Sequence, residues 1–191
     1  RYGDNPAVVA WHVGNEYGNV APCYCDVSAD AFRRWLRERY GSVDALNDAW
    51  STTFWSQRYA SFDEVLPPRR PAPVANPAHP VDYARFSSDE LLACYLVEKE
   101  VLRRVSPDVP VMTNFPPSLR PADLWTWAPH LDVVAYDAYP DPFDPAADAK
   151  IAFSYDVMRS LGDGEPWLLM EQAPSAVNWR ARNAAKPAGA M

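Results

Sequence analysis

The sequence has few cysteines, no long apolar run and no excess of positive charge. Three cysteines among 191 residues give no disulfide framework, so we expect a reducing, cytoplasmic environment. No apolar run approaches the roughly 20 residues of a membrane helix. No signal peptide opens the chain, although its first residue is arginine and not methionine. The net charge of −7 is mixed along the chain, which argues against nucleic acid or an anionic membrane as a partner.

What is present suffices for one hydrophobic core, since apolar residues make up 48% of the chain. Short apolar strands alternate with helices, and this order predicts a parallel α/β sheet. Four strands are expected, at residues 7–13, 109–115, 131–136 and 167–170. The intervening helices are expected to end at residues 40, 50, 105, 127 and 161.

The segment from Ala7 to Gly18 is the one around which we expect the functional site to be organised. Residues 7–13 carry no charge and are rich in valine, a pattern typical of a strand covered on both faces. Glu16 follows directly after this strand. Barrel enzymes place their catalytic groups just past the C-terminal ends of such strands.

A second predicted strand, at residues 167–170, is followed at once by Glu171. If both strands belong to one parallel barrel, the two carboxylates converge on the same face. A lone glutamate is more simply a solvated strand end, because glutamate is seldom buried. Paired carboxylates, however, are what the cleavage of a glycosidic bond requires. The pair, flanked by Asn15 and by Trp11 and Trp167, therefore favours catalysis.

Five motifs occur in sequence in a recognisable order: NEYG at 15–18, CYCD at 23–26, FRRWLRERYGS at 32–42, ALNDAW at 45–50 and LLMEQAPSAVNWR at 168–180. Together they resemble the β-galactosidases of glycoside hydrolase family 42, which belong to clan A. The resemblance implies a (β/α)8 TIM barrel. In this clan the acid/base follows the fourth strand and the nucleophile follows the seventh.

A complete barrel of this kind typically needs about 250 residues. Two predicted strands separate Glu16 from Glu171, so the resemblance implies that the four predicted strands are strands four to seven with their helices, and that the chain is the central part of a larger enzyme. We expect residues 1–191 to be part of one catalytic domain, with a loop and helix insertion at 19–80. In the family this insertion packs in the subunit contact of a homotrimer.

The resemblance also implies roles for individual residues. Glu16 would be the acid/base and Glu171 the nucleophile of a retaining enzyme that hydrolyses terminal non-reducing β-D-galactosides. Asn15 would bind the 2-hydroxyl of the sugar, although an asparagine here could simply form a turn. Tyr139 would bond the nucleophile; the alternative is a tyrosine at the edge of the core.

Two tryptophans complete the expected sugar site. Trp179 matches a family tryptophan that lines the pocket, and Trp55 would reach an active site across a subunit contact. The simpler interpretation of a tryptophan is that it fills a core or marks an interface.

The family commonly holds a structural zinc on four cysteines in the loop that follows the acid/base. Here Cys23 and Cys25 are present, but serine occupies the next expected position, residue 28. Two thiolates do not complete a tetrahedral site, so we predict no bound metal and no cofactor. Cys94, on the long helix, is expected to be a buried thiol.

Two other functions remain open at this point. A related clan A enzyme could use the same glutamates on a different β-glycoside or on an arabinoside. The chain alone could also be non-catalytic, because an open part of a barrel exposes strand edges and apolar faces. We expect the isolated chain to be inactive.

Overall fold

The computed structural model describes residues 2–19, 21–69, 76–117 and 122–186. Strands and helices alternate as expected, in the order β1 (Trp11–His12), α1 (Asp26–Tyr40), α2 (Val43–Ala49), α3 (Ala78–Val105), β2 (Val111–Met112), β3 (Asn114–Phe115), α4 (Leu124–Trp127), β4 (Ala135–Ala138), α5 (Ala147–Leu161) and β5 (Leu168–Gln172). Short 3-10 turns occur at Phe54–Ser56, Phe62–Glu64 and Ala128–His130. None of the helices formed by the described residues is long and apolar enough to cross a bilayer.

The chain divides into two compact units, one formed by residues up to Asn19 and from Leu91 onward, the other by Val20–Glu90. The segment predicted as an insertion at 19–80 falls in the second unit except for Asn19, which belongs to the first, and the second unit also includes the first part of α3.

All strands of the first unit pair in parallel. Strand β1 pairs with β2, with Trp11 opposite Val111. Strand β3 pairs with β4, and β4 pairs with β5. Only Thr113 separates β2 from β3, so one stretch of backbone pairs with β1 through its first half and with β4 through its second. The neighbouring strands therefore follow chain order, which places their C-terminal ends along one edge.

The first strand is shorter than predicted. Regular pairing covers only Trp11–His12, and the backbone hydrogen bond from Val8 to Asn5 closes a turn before it. Val9 is 81% exposed, so the expectation of burial on both faces over 7–13 is wrong for the first half of this segment. The amide of Val13 still donates to the carbonyl of Met112 at 2.8 Å, which continues the alignment toward Glu16.

The core of the first unit lies between the strands and helices α3 to α5. Its fully buried members include Tyr95, Phe115, Trp127, Tyr136 and Met158. Burial of each large apolar side chain stabilises the fold by about 1.5–3 kcal/mol. Cys94 is exposed and not buried, because α3 turns Leu92 and Tyr95 toward the core instead.

The second unit has its own core, formed by Phe32, Leu36, Leu46, Trp50, Val65, Tyr83 and Phe86. Helix α1 ends at Gly41, whose φ of 71° is the left-handed conformation that glycine adopts easily. The Ser42 hydroxyl then accepts a hydrogen bond from the Ala45 amide and caps α2, as its position predicts.

The sequence predicts that α4 starts at Pro121 and that α5 starts at Pro145 after an N-cap at Asp144, and both starts are corrected. Helix α4 begins at Leu124, capped by the Asp123 carboxylate, while Pro121 lies outside the described residues. Helix α5 begins at Ala147, because Asp144 accepts hydrogen bonds from the amides of Ala146 and Ala147 and forms a turn before the helix.

Candidate active site

Three carboxylates meet at the C-terminal ends of the parallel strands of the first unit. They belong to Glu16 after β1, Asp137 in β4 and Glu171 in β5, and one oxygen of each lies within 4.8 Å of the others. Glu171 lies inside its strand and not just past it, because β5 continues to Gln172 and Glu171 pairs with Asp137. The two predicted glutamates are thus brought together, with a third acid between their strands.

Glu16 is held in an unusual backbone conformation. Its φ is 48°, in the left-handed region that non-glycine residues seldom occupy. Its amide donates to the Asn114 side-chain oxygen at 3.1 Å, and its carbonyl accepts from the Asn19 amide at 2.9 Å. Such strain persists where surrounding contacts enforce it, and it clusters at functional sites.

Gly14 permits this tight turn after β1. Its φ is 60°, and a Cβ atom at this position would lie 2.6 Å from the ring of Tyr17. The Tyr17 ring packs against Tyr95 and Trp127, which restricts its movement. A side chain at residue 14 would therefore displace the turn that carries Glu16.

The buried amide of Asn114 connects the polar groups of the site. Its nitrogen donates to Asp137 Oδ2 at 2.5 Å and lies 3.2 Å from Asn15 Oδ1 and 3.4 Å from Glu171 Oε1. Its oxygen lies 2.7 Å from His12 Nε2 and also accepts from the Glu16 amide. Since an amide nitrogen carries two protons, the 3.4 Å contact is the weakest of the three. One side chain thus joins residues from β1, β3, β4 and β5.

Asp137 is the most buried of the three acids, with no measurable exposure, whereas both glutamates are half-buried. Burial, a hydrogen bond with Glu16 and the charge of Glu171 raise the pKa of Asp137 to about 8. Its Oδ1 atom accepts no hydrogen bond from an N–H or hydroxyl group of the described residues.

Tyr139 lies next to Glu171, the position that the family resemblance implies. Its hydroxyl donates to Glu171 Oε2 at 2.5 Å. Burial and the negative charge of Glu171 raise the pKa of Tyr139, so the hydroxyl remains a donor at neutral pH. The ring of Trp179, which is 62% exposed, meets the Tyr139 ring edge-on at 4.9 Å. Arg180 donates to the carbonyls of Tyr139 and Pro140 and holds this loop against Trp179.

In the full-length protein, Tyr139→Phe is expected to lower kcat/KM for the activity that the family resemblance implies by about 10- to 100-fold. The change removes the donor to Glu171 Oε2, and a hydrogen bond to a charged group contributes about 1.5–3 kcal/mol. Tyr155→Phe is the matched control, because that ring packs on Tyr136 and Trp167 away from the carboxylates. Equal losses in the two variants would contradict the assignment.

The remaining predicted residues are placed as follows. Asn15 is exposed, and its side-chain oxygen faces Asn114. Trp55 lies in the 3-10 turn Phe54–Ser56, and its side chain lies outside the described part of the structure. The sequence patterns did not predict that His12, Asn114 and Asp137 belong to the site, although Asn114 lies near the end of the strand predicted at 109–115 and Asp137 directly follows the one predicted at 131–136. Extending the strand-end rule to amides and aspartates would have made both residues candidates, but it would not have given the face of the sheet that each occupies.

Two groups of side chains have the chemistry of metal ligands. The trio of Glu16, Asp137 and Glu171 is the one group of three or more potential ligands within the described ranges. Cys23 and Cys25 lie with their sulfurs 3.2 Å apart, and the Ser28 hydroxyl lies 3.6 Å from Cys25. Hydrogen bonds from the Ser28 amide and hydroxyl and from Cys23 lower the pKa of Cys25 to about 7. Two thiolates and a serine do not fit a four-coordinate structural zinc site.

Comparison with known proteins agrees with this geometry. Residues 1–191 match the sequence profile of glycoside hydrolase family 42, described as beta-galactosidase. A beta-galactosidase of Geobacillus kaustophilus is 48% identical over the whole chain, which spans 28% of that relative's length. A beta-galactosidase structure from Bacillus circulans sp. alkalophilus is 41% identical with a TM-score of 0.89, and the chain covers 28% of it.

A further solved structure, a beta-galactosidase from the haloarchaeon Halorubrum lacusprofundi, is 38% identical with a TM-score of 0.90, and the match covers all of this chain and 31% of that protein. The parallel strands described above are accordingly a segment of a TIM barrel. The chain belongs to glycoside hydrolase family 42.

Proposed function

We propose that the full-length protein carrying this segment is a retaining β-galactosidase that hydrolyses terminal non-reducing β-D-galactosides. The observation that carries the proposal is the approach of the Glu16 and Glu171 carboxylates, with oxygens within 4.8 Å of each other. Retaining glycosidases hold their carboxyl groups about 5–5.5 Å apart, whereas inverting enzymes need about 6.5–9.5 Å to admit a water. The similar proteins named beta-galactosidases support galactose as the sugar.

The reaction would proceed in two displacements. Glu171 attacks the anomeric carbon while Glu16 gives its proton to the leaving oxygen, and a covalent galactosyl-enzyme forms. Glu16, now a carboxylate, takes a proton from water as that water attacks the anomeric carbon. Galactose leaves with its original configuration, and Glu16 is protonated again. The Tyr139 hydroxyl holds one oxygen of Glu171, which fixes the direction in which the other attacks.

Three further residues would bind the sugar. Asn15, exposed beside Glu16, would meet the 2-hydroxyl, and the exposed Trp179 ring beside Tyr139 offers an apolar face for the pyranose. Trp55 would reach the site of a neighbouring subunit in a homotrimer. We place the four consecutive parallel stretches at barrel strands four to seven, because the two glutamates are separated by two intervening strands.

Proton NMR of the first product formed by the full-length protein tests the proposal. We expect β-galactose to appear first and to mutarotate later, because two inversions restore the original configuration. First release of α-galactose would contradict retention. The rival substrate class is tested by comparing nitrophenyl β-D-galactoside with the α-L-arabinopyranoside, since a higher kcat/KM for the arabinoside would favour the alternative clan A activity.

We also infer that the full-length protein carries no structural zinc at Cys23 and Cys25 and resides in the cytoplasm. Among the described residues only these two thiolates are gathered there, so elemental analysis of the purified protein is expected to find substoichiometric zinc. Treatment with EDTA should leave the melting temperature unchanged. One zinc per chain that disappears in the double variant Cys23→Ser, Cys25→Ser would contradict this inference.

A further inference from the structure

The third carboxyl of the site, Asp137, has no role in the two-step reaction described above. It is fully buried in β4, between the two glutamates, and its Oδ2 accepts the hydrogen bond from Asn114. Its Oδ1 is buried and accepts no hydrogen bond from an N–H or hydroxyl group of the described residues. A buried polar atom without a partner is costly unless it carries a proton that it can donate.

The charges around Asp137 also favour a bound proton. Glu16 faces it from the turn after β1, and Glu171 faces it from β5. The other polar groups near Asp137 are the Asn114 amide, which binds it directly, His12, which binds the far side of that amide, and the hydroxyl of Tyr139, which binds Glu171. No ion pair to Asp137 is formed by the residues that the structure describes, and Arg180 is directed at backbone carbonyls. Three carboxylates this close cannot all be ionised, and the most deeply buried one keeps its proton most readily.

We propose that Asp137 is a positioning residue that stays protonated in the working enzyme and donates a hydrogen bond from Oδ1 to the carboxyl group of Glu16. The proposal rests on the assignment of Glu16 as the acid/base. When Glu16 gives its proton to the leaving oxygen, it becomes negative. The hydrogen bond that the Asp137 hydroxyl donates to it then strengthens. The proton of Asp137 stays on Asp137 throughout, so the balance of the reaction is unchanged. Apolar surroundings can keep a carboxylic acid neutral at pH 7 for use as a donor in this way.

The proposal predicts a selective loss of activity in Asp137→Ala. Leaving groups that need protonation depend on Glu16 as an acid, whereas 2,4-dinitrophenolate leaves without help. We expect kcat/KM of the full-length protein to fall about 10- to 100-fold for lactose, the effect of losing a hydrogen bond to a charged group. For 2,4-dinitrophenyl β-galactoside the loss should be at least about tenfold smaller. If Asp137 only supported the fold, its replacement would lower kcat/KM equally for both substrates, and that result would overturn the proposal.

The conservative variant Asp137→Asn tests whether a hydrogen-bond donor at this position restores the activity that Asp137→Ala loses. An amide keeps one oxygen to accept from Asn114 and offers an N–H to Glu16, but it cannot titrate. We expect it to recover most of the lactose activity that Asp137→Ala loses. Because the wild-type acid is neutral below about pH 8 and ionised above it, kcat/KM of the wild type should decline more steeply above that pH than kcat/KM of the asparagine variant. Identical alkaline limbs would count against a proton on Asp137.

A direct measurement separates this proposal from the proposed function. The infrared spectrum at neutral pH should contain the carbonyl stretch of one more buried, protonated carboxylic acid in the wild type than in Asp137→Asn, because the protonated Glu16 contributes its own band to both. Absence of that additional band in the wild type would overturn the proposal whatever the substrate is. If the band is present but no β-galactoside is hydrolysed, the proposed function fails while the proton on Asp137 stands. Circular dichroism of each variant shows that the comparison is made on folded protein.

Discussion

Replacing Glu171 by alanine in the full-length protein is expected to lower kcat for β-galactosides by at least about 10³-fold, a loss typical of a removed nucleophile. Under the proposed assignment this carboxylate attacks the anomeric carbon, and the Tyr139 hydroxyl binds one of its oxygens. Azide should restore turnover by occupying the space that the side chain leaves. Because azide would then attack in a single displacement on the face of the nucleophile, the product should be α-galactosyl azide.

Glu16→Ala is the matched control at the other carboxylate. Substrates with a good leaving group still form the galactosyl-enzyme through Glu171, but no base then activates water. Azide, which needs no base, should accelerate this second step and yield β-galactosyl azide. The same anomer from both variants, or near-normal rates in either, would show that the roles of the two glutamates are wrongly assigned.

The second large effect concerns the 191-residue chain on its own, which we expect to show no measurable turnover of a β-galactoside. Among the described residues, β1 and β5 each lack a partner strand on one edge. The chain also spans only 28% of the length of its curated relatives, whose other segments would complete the wall of the pocket. Unpaired edges and exposed apolar residues such as Val9 and Leu168 favour association instead.

A chromogenic assay and size-exclusion chromatography of the isolated chain check this expectation, with the full-length protein at equal molarity as the reference. Any turnover found must be traced to the chain itself. Turnover that is abolished by Glu171→Ala in the same chain would contradict the prediction. Turnover that survives this change would point to a contaminating glycosidase.

Local signals in the sequence predicted where the helices end and singled out the pair of glutamates. Gly41 and Ser42 mark the end of α1 and the start of α2 because turn and capping preferences act over one or two residues. The strand-end rule found Glu16 and Glu171 because parallel strands bring their C-terminal ends to one edge. Family resemblance then supplied Tyr139, whose position beside Glu171 no local pattern could have predicted.

The positions of Asn114 and Asp137 beside the two glutamates could not be predicted from local signals. Side chains alternate between the faces of a strand, so one irregular residue changes which face every later side chain occupies. The pairing of β4 with β5 shifts register between Tyr136 and Asp137, and Thr113 interrupts the strand that ends near Asn114. Both irregularities arise from pairing between distant segments. They decide that Asn114 and Asp137 face the glutamates, and no window of neighbouring residues contains that information.

The pairing of β1 with β2 also has a consequence for the folding kinetics. Trp11 lies opposite Val111, so the chain must close a loop of roughly a hundred residues before the contacts of the site can form. Such high contact order slows folding, because loop-closure entropy is lost before native contacts compensate for it. Val20–Glu90 lies inside this loop and has its own core. Prior compaction of that unit shortens the effective loop, so a core substitution such as Phe32→Ala should delay the appearance of the site without touching any residue in it.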